Sequence, residues 1–363
     1  MTATALITTT VNIPVLLRDY AKDATAHGRE VKFYVAGDKK TPPGAAQFCR
    51  DIERDFAVTC EYLGVAEQNA QMRAHPRLAA HLPWNCVQRR NVAVMKAAAD
   101  GSDIVITIDD DNFLAEPDFF GLHGICGGEA ELDDCGEAGR WFNVCRFLTE
   151  RDGRKFFPRG YSMRERGGGG EQPATVAKAK KQVVVNAGLW LGDPDIDAIT
   201  RMAAPPEVTG YAREDNFFVG NRAWTPFNSQ NTALARRVLP AYFLSPHVGR
   251  FDDIFASFIV KRIADHLGEG VAFGRPLVRQ MRNEHDLWHD LDLERMGCRL
   301  CDEFVDALTD ITLPGGGWGD CAAVICDELE ARLQDSGTPT AMERAQLAEF
   351  FAGYRLWPAV IKV

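Results

Sequence analysis

The stretch Ile104-Val105-Ile106-Thr107-Ile108-Asp109-Asp110-Asp111-Asn112-Phe113 decides how the rest of the chain is read. Its five consecutive β-branched residues predict a strand buried on both faces, and three aspartates follow without a break. Adjacent carboxylates repel one another, so a cluster at the mouth of a buried strand needs a cation or a hydrogen-bond network to hold it. In open α/β sheets ligands collect beyond the carboxyl ends of the strands, which is where these aspartates fall. A turn or helix cap rich in Asp is the plain alternative. The strand context favours a divalent metal, Mg2+ or Mn2+, held by Asp109 and Asp111, with Asp110 beside a diphosphate.

Upstream, Ala5–Thr10 reads as a first strand, Glu30–Ala36 as a second closing on Gly37-Asp38, and Thr59–Leu63 as a third, with helical stretches between. This βαβ alternation predicts an α/β fold with a doubly wound, mostly parallel sheet. Thr9 and Asp38, at strand ends, are candidate nucleoside contacts. Residues 84 to 99 carry apolar side chains at helical spacing with a polar shoulder that includes Arg89 and Arg90. Either arginine sits on a solvated helix face or reaches a phosphate or base.

Downstream, residues 112 to 139 are acidic and Gly-rich and are expected to cover the site as loop and short helix, with Trp141–Phe147 returning as a strand. The run Gly167 to Gly170 predicts a flap. Val183–Gly192 reads as a strand in which Gly188 permits close backbone approach to a ligand or to a packing partner. Asp252-Asp253 precedes a helix reaching Leu267, as a dipole-stabilised cap or as catalytic carboxylates. His285 and His289 share one face of an expected helix, and His289 is a candidate third metal ligand. Beyond residue 300 the chain is amphipathic helix broken at Gly315-Gly316-Gly317, which predicts a catalytic domain over 1–300 and a helical extension over 301–363.

The 363 residues carry 51 acids against 41 bases, a net charge of -10, which argues against nucleic acid as the partner. No run of apolar residues is long enough to span a membrane, and the first 17 residues lack the basic start of a signal peptide, so a cytoplasmic protein with reduced thiols is expected. Cys298-x-x-Cys301 with Cys321 and Cys326 has zinc-like spacing but lies in amphipathic helix, where buried thiols are the simpler reading. The sequence leaves oligomeric state open, a homo-oligomer included.

Several short motifs occur in order: Ile108-Asp109-Asp110-Asp111; Arg159-Gly160-Tyr161 with Arg164-Glu165; Gly188-Leu189-Trp190-Leu191 with Pro194-Asp195 and Asp197-Ala198; Asn231; Arg250-Phe251-Asp252-Asp253; and Asp265-His266-Leu267-Gly268. Over roughly residues 90 to 295 this order resembles the reversibly glycosylated polypeptides, the UDP-arabinopyranose mutases of plants, on a glycosyltransferase-A scaffold. The resemblance implies a metal-dependent enzyme interconverting pyranose and furanose forms of a nucleotide sugar. In that pattern Arg159 is the covalent or electrostatic partner of the sugar and Asp252 and Asp253 are the second acid pair. Gly188, Trp190 and Asn231 would contact the nucleotide sugar. The longer Gly-rich loop and the residues around Asn231 depart from the plant pattern. Bacterial relatives acting on GDP-fucose or GDP-L-galactose, in nucleoside-antibiotic pathways, are at least as similar, so a GDP-sugar is favoured over a UDP-sugar. A glycosyltransferase with a separate acceptor, or a non-catalytic or self-glycosylating nucleotide-sugar binder, would use the same metal motif.

Overall fold

The β-branched run forms a four-residue strand, Ile104–Thr107, with all four residues buried, between a parallel and an antiparallel neighbour. In this computed structural model, residues 2–136, 140–167, 175–221, 223–284 and 286–361 are described. His285 and most of the glycine run lie outside them.

In chain order the strands are β1 (Thr4–Thr10), β2 (Val31–Gly37), β3 (Thr59–Leu63), β4 (Ile104–Thr107), β5 (Asn112–Leu114), β6 (Glu129–Gly136), β7 (Leu148–Glu150), β8 (Thr175–Gly192), β9 (Val208–Tyr211), β10 (Phe217–Val219), β11 (Thr232–Ala235) and β12 (Gly270–Gln280). The helices are α1 (Leu17–Ala26), α2 (Gly44–Phe56), α3 (Val65–Met72), α4 (Pro76–Ala79), α5 (Arg90–Ala99), α6 (Phe119–Leu122), α7 (Ala198–Ala203), α8 (Asp252–Leu267), α9 (Leu287–Thr309), α10 (Trp318–Asp335) and α11 (Ala341–Leu356).

The sheet is mixed. Strands β3-β2-β1-β4 run parallel, joined through helices, and β11 then inserts antiparallel between β4 and β8. The expected α/β class is thus formed, with the first four strands of the sheet parallel. Register sets the site: Ile7 pairs with Thr107, so Thr10 and the aspartate triplet emerge at the same edge. Thr232 also pairs with Thr107, so Ser229 and Gln230, just before β11, arrive beside the triplet.

Two segments differ from expectation. Acidic Glu129–Gly136 is a strand rather than a covering loop, because Lys178, Lys180 and Lys181 on antiparallel β8 pair with Asp133, Glu129 and Asp134. Trp141 to Phe147 is not a strand beyond one bridge to Trp224. The Asn143 side chain accepts from the Cys145 N–H at 3.1 Å and starts a 3-10 turn over Val144–Phe147 instead.

Residue 300 lies inside α9, and the helices beyond it share the core of the sheet-bearing part. Phe304 stacks on Phe255 of α8 at 4.2 Å between centroids, and the Trp357 indole N–H donates to the Leu239 carbonyl at 2.7 Å. Removing a core ring such as Phe304 costs about 3–5 kcal/mol, so the C-terminal helices brace α8 and the acid pair at its start. Cys301 and Cys321 are fully buried in this packing, and the Cys301 thiol donates to the Gly160 carbonyl at 3.0 Å. No helix is long and apolar enough to cross a membrane among the described residues.

Candidate active site

A cleft of about 660 Å³ opens at the C-terminal ends of β1, β2 and β4, in the size range of small-molecule sites. Thr9, Asp38, Arg89, Asp109, Asp110, Asp111, Arg159, Asp252 and Asp253 line it. Arg90, Gly188, Trp190, Asn231 and His289 do not.

At one end stand the three aspartates. Asp109 receives the Arg90 guanidinium and the Gln230 amide, while its own N–H donates to Asn112 Oδ1 at 2.8 Å. The Thr10 hydroxyl donates to Asp110 at 2.7 Å. Among the described residues the Asp111 carboxylate has only long contacts, from the Asn283 N–H at 3.4 Å and the Asn112 amide at 3.5 Å. Burial, with Asp109 and Asp110 beside it, pushes the Asp111 carboxyl up to about 7. Burial likewise raises Asp110, helped by the Asp109 charge. Three oxygen-only side chains with one guanidinium among them fit a hard divalent cation of the Mg2+ or Mn2+ kind. The Gln230 side-chain oxygen is buried there without a partner among the described residues.

At the other end the Arg159 guanidinium spans two carboxylates. Its Nε and Nη2 each donate to Asp195 at 2.9 Å, Nη1 donates to Asp253 at 3.2 Å, and Nη1 also reaches the Arg250 carbonyl. Burial opposes the charge, yet Asp195 and Asp253 outweigh it and raise the Arg159 pKa well above the ordinary value. Burial acts upward on Asp195 too, but Arg159 and the Asn228 amide hold that carboxyl down at about 2. Asp253 also accepts the Ser229 N–H at 2.9 Å and its hydroxyl at 3.1 Å. Asp252 keeps one strong side-chain donor, the Gln88 amide at 2.8 Å, and burial with the neighbouring Asp253 pushes it up to about 7. Gly160, at φ +88°, lets the Arg159 turn lie against α8, since a Cβ there would meet Ile254 at 2.3 Å.

The residues outside the cleft act from behind it. Arg90 is fully buried and bonds the Ser229 and Ile108 carbonyls besides Asp109, so it braces the triplet rather than facing a ligand. A Cβ on Gly188 would meet the Asn231 amide at 2.1 Å, which makes this glycine a packing position. Asn231, buried at φ +49°, bonds His123 and the Leu189 carbonyl and shapes the β8–β11 junction. Trp190 is buried in β8. His289 is exposed in the first turn of α9, where Asp286 caps its N–H. Arg89 does face the cleft: it lies over the Trp84 ring at 4.0 Å, and its buried Nη2 has no partner among the described residues.

Sequence reading gave no role to Gln88, Asp195, Ser229, Gln230 or Asn283. Only Asp195 carried a signal, as an acid in the ordered motifs that would need a cation once buried.

An α/β protein with an acid-lined cleft beyond its parallel strands is the class that fold and site define. Residues 156–355, more than half of the chain, match the reversibly glycosylated polypeptide family, and the chain belongs to it. A probable UDP-arabinopyranose mutase 2 of Solanum tuberosum is 28% identical over 239 residues, covering 63% of this chain and 59% of that protein. UDP-arabinopyranose mutase 3 of Arabidopsis thaliana is 29% identical over 136 residues, covering 36% of this chain and 37% of that protein. The chain thus spans less than two thirds of the length of these relatives. Among solved structures, a mannosyltransferase of Pyrobaculum calidifontis in complex with GDP-Man and Mn2+ aligns over 98% of this chain and 83% of its own, at TM-score 0.38 and 10% identity, too distant a likeness to inform the site.

Proposed function

We propose that this protein is a divalent-metal-dependent nucleotide-sugar mutase that interconverts pyranose and furanose forms of a UDP- or GDP-linked sugar. One observation carries the reading: a single cleft has oxygen ligands suited to a metal diphosphate at one end and an arginine-bridged acid set at the other. The relatives named for UDP-arabinopyranose support the ring chemistry and the uridine form, and the guanosine form rests on sequence resemblance alone. Asp109 and Asp111 would hold Mg2+ or Mn2+, which when bound offsets charge on the departing diphosphate. The free Nη2 of Arg89 would meet a phosphate or base oxygen beside Thr9 and Asp38.

The bond from the sugar C1 to the diphosphate breaks, and its electron pair leaves with the phosphate. The 4-hydroxyl oxygen bonds C1, the bond from C1 to the old ring oxygen breaks, and the diphosphate returns to C1. One proton must pass from the attacking hydroxyl to the old ring oxygen, and no oxidant or reductant is needed. Asp252, with a pKa near neutrality, is suited to take that proton and return it. Asp253, fixed by Arg159 and Ser229, would face the developing positive charge at C1. All three guanidinium nitrogens of Arg159 are engaged with carboxylates or a carbonyl, so its role is electrostatic.

The test is incubation of the full chain with Mg2+ or Mn2+ and UDP-arabinopyranose, GDP-fucose or GDP-L-galactose, followed by chromatographic separation of furanose from pyranose forms. Interconversion of one of them is the expected result. No interconversion with any of them overturns the proposal, and net transfer to an added acceptor would make the protein a glycosyltransferase instead.

A further inference from the structure

A second cluster of ligating groups lies away from the cleft, where three remote pieces of chain meet. His81 follows α4, His247 lies in the turn before α8, and Glu349 projects from α11. His81 Nδ1 is 3.3 Å from His247 Nε2 and 3.7 Å from Glu349 Oε2. Among the described residues this is the one set of three His, Cys, Asp or Glu side chains whose ligand atoms all lie within 4.8 Å of each other. The aspartate triplet is not such a set. We propose that His81, His247 and Glu349 form a separate binding site for a transition-metal dication of the Zn2+ type.

Two nitrogens each about 2.0–2.1 Å from a tetrahedral Zn2+ stand about 3.3 Å apart, which matches the imidazole spacing. Two imidazoles and one carboxylate are the borderline donors that Zn2+ takes, whereas the oxygen-only triplet suits Mg2+ or Mn2+. His81 also lines a cavity of about 420 Å³, through which water can supply a fourth ligand. The ion would tie α11 to the segment Pro246–Phe251, whose Pro246, Gly249 and Arg250 line the cleft ahead of Asp252. Its role is therefore to pin the C-terminal helix against the acid-pair end of the site.

Co2+ as a probe separates the two sites, because four-coordinate Co2+ bound by imidazole absorbs visible light strongly and Co2+ in an octahedral oxygen site absorbs weakly. The metal-free full chain should develop the strong band on titration with Co2+, and Zn2+ should abolish it by competition. Asp111→Asn should keep the band. His81→Asn and His247→Asn should lose it while retaining native circular dichroism. Loss of a mere outer-shell partner already weakens metal binding about 10–100-fold, so Glu349→Gln, at an exposed position that folding tolerates, should weaken binding at least that much. Zn2+ should also raise the melting temperature of the native chain and not of Glu349→Gln. Absence of the band, its persistence in both histidine variants, or equal affinity in Glu349→Gln would overturn the proposal and leave two imidazoles that merely share a proton.

Discussion

The two ends of the cleft are built alike and balanced differently. Each gathers three aspartates around one buried arginine: Asp109, Asp110 and Asp111 around Arg90, and Asp195, Asp252 and Asp253 around Arg159. Of the three carboxylates Arg90 reaches Asp109 alone, and the other two rely on neutral donors. Arg159 grips Asp195 and Asp253 together, leaving Asp252 alone on Gln88. With one guanidinium to three carboxylates, each end carries the same surplus of about two negative charges when its acids are ionised, but at the triplet two carboxylates lie beyond the arginine's reach and at the other end only Asp252 does. A divalent cation suits the two carboxylates that Arg90 leaves, and a single proton the one that Arg159 leaves. The same motif of acids around an arginine thus suits metal binding at one end and proton transfer at the other, according to how many carboxylates the arginine reaches.

The largest break in this comparison is expected from Asp111→Asn. Loss of the least-bonded carboxylate should reduce Mn2+ affinity in calorimetry and lower turnover at least about a thousandfold, because the metal contributes several kcal/mol at the diphosphate. Unchanged turnover would remove the metal from this end. Arg159→Lys comes next, since an ammonium cannot fork between Asp195 and Asp253. Turnover should drop between about a hundredfold and a thousandfold, with KM little changed. Arg159→Met, which leaves both acids buried without their cation, should lose about 3–5 kcal/mol of stability in urea.

How much of this was legible in the sequence follows the same division. The triplet announces itself because its acids are contiguous and follow an apolar strand, and periodicity alone gave β1 to β4 and α8. The Arg159 end is assembled from residues 88, 159, 195, 229 and 252–253, and no local pattern says that these converge. Ordered motifs brought Arg159, Asp252 and Asp253 forward, but Gln88 looked like any polar shoulder of a helix. The strand β6 was missed because its acids read as solvated loop until the lysines of β8 stand opposite. For Gly188 the sequence leaves ligand approach and packing equal, and for Asn231 resemblance alone suggests a ligand contact, because a glycine facing an asparagine is a packing relation that only the β8–β11 pairing reveals.

Asp252→Asn tests the single-proton end. Removal of a proton shuttle should lower turnover about a hundredfold and abolish the limb through which activity rises near pH 7. The stability sign is opposite to that of a salt-bridged acid. An ordinary unfolded Asp titrates near about 4 and folded Asp252 near about 7, so between these values the folded state binds more protons. Its contribution is therefore fully present at low pH and declines as pH rises from about 4 to 7. Asp252→Asn should flatten that decline and leave the variant more stable than the native chain at pH 8 in urea titrations. A steeper decline in the variant would contradict the assignment.

The smallest effect, and the sharpest on the comparison, is expected from Gln88→Leu. Gln88 lies one residue before Arg89, in the turn that leads into α5, and its amide donates to Asp252 at 2.8 Å. That bond favours the ionised carboxylate, so removing it raises the Asp252 pKa further. A hydrogen bond to a charged group contributes about 1.5–3 kcal/mol, which corresponds to roughly one to two pH units. The rising limb of the activity profile should therefore move up by about that much, while turnover on the plateau above it falls only a few-fold. Gln88→Glu should move the limb further in the same direction, because a second carboxylate now faces Asp252. Mn2+ affinity should be unaffected in both, since the triplet lies at the far end of the cleft. A change in metal affinity without a change in the limb would show that the two ends do not divide charge and proton between them as their hydrogen bonds imply.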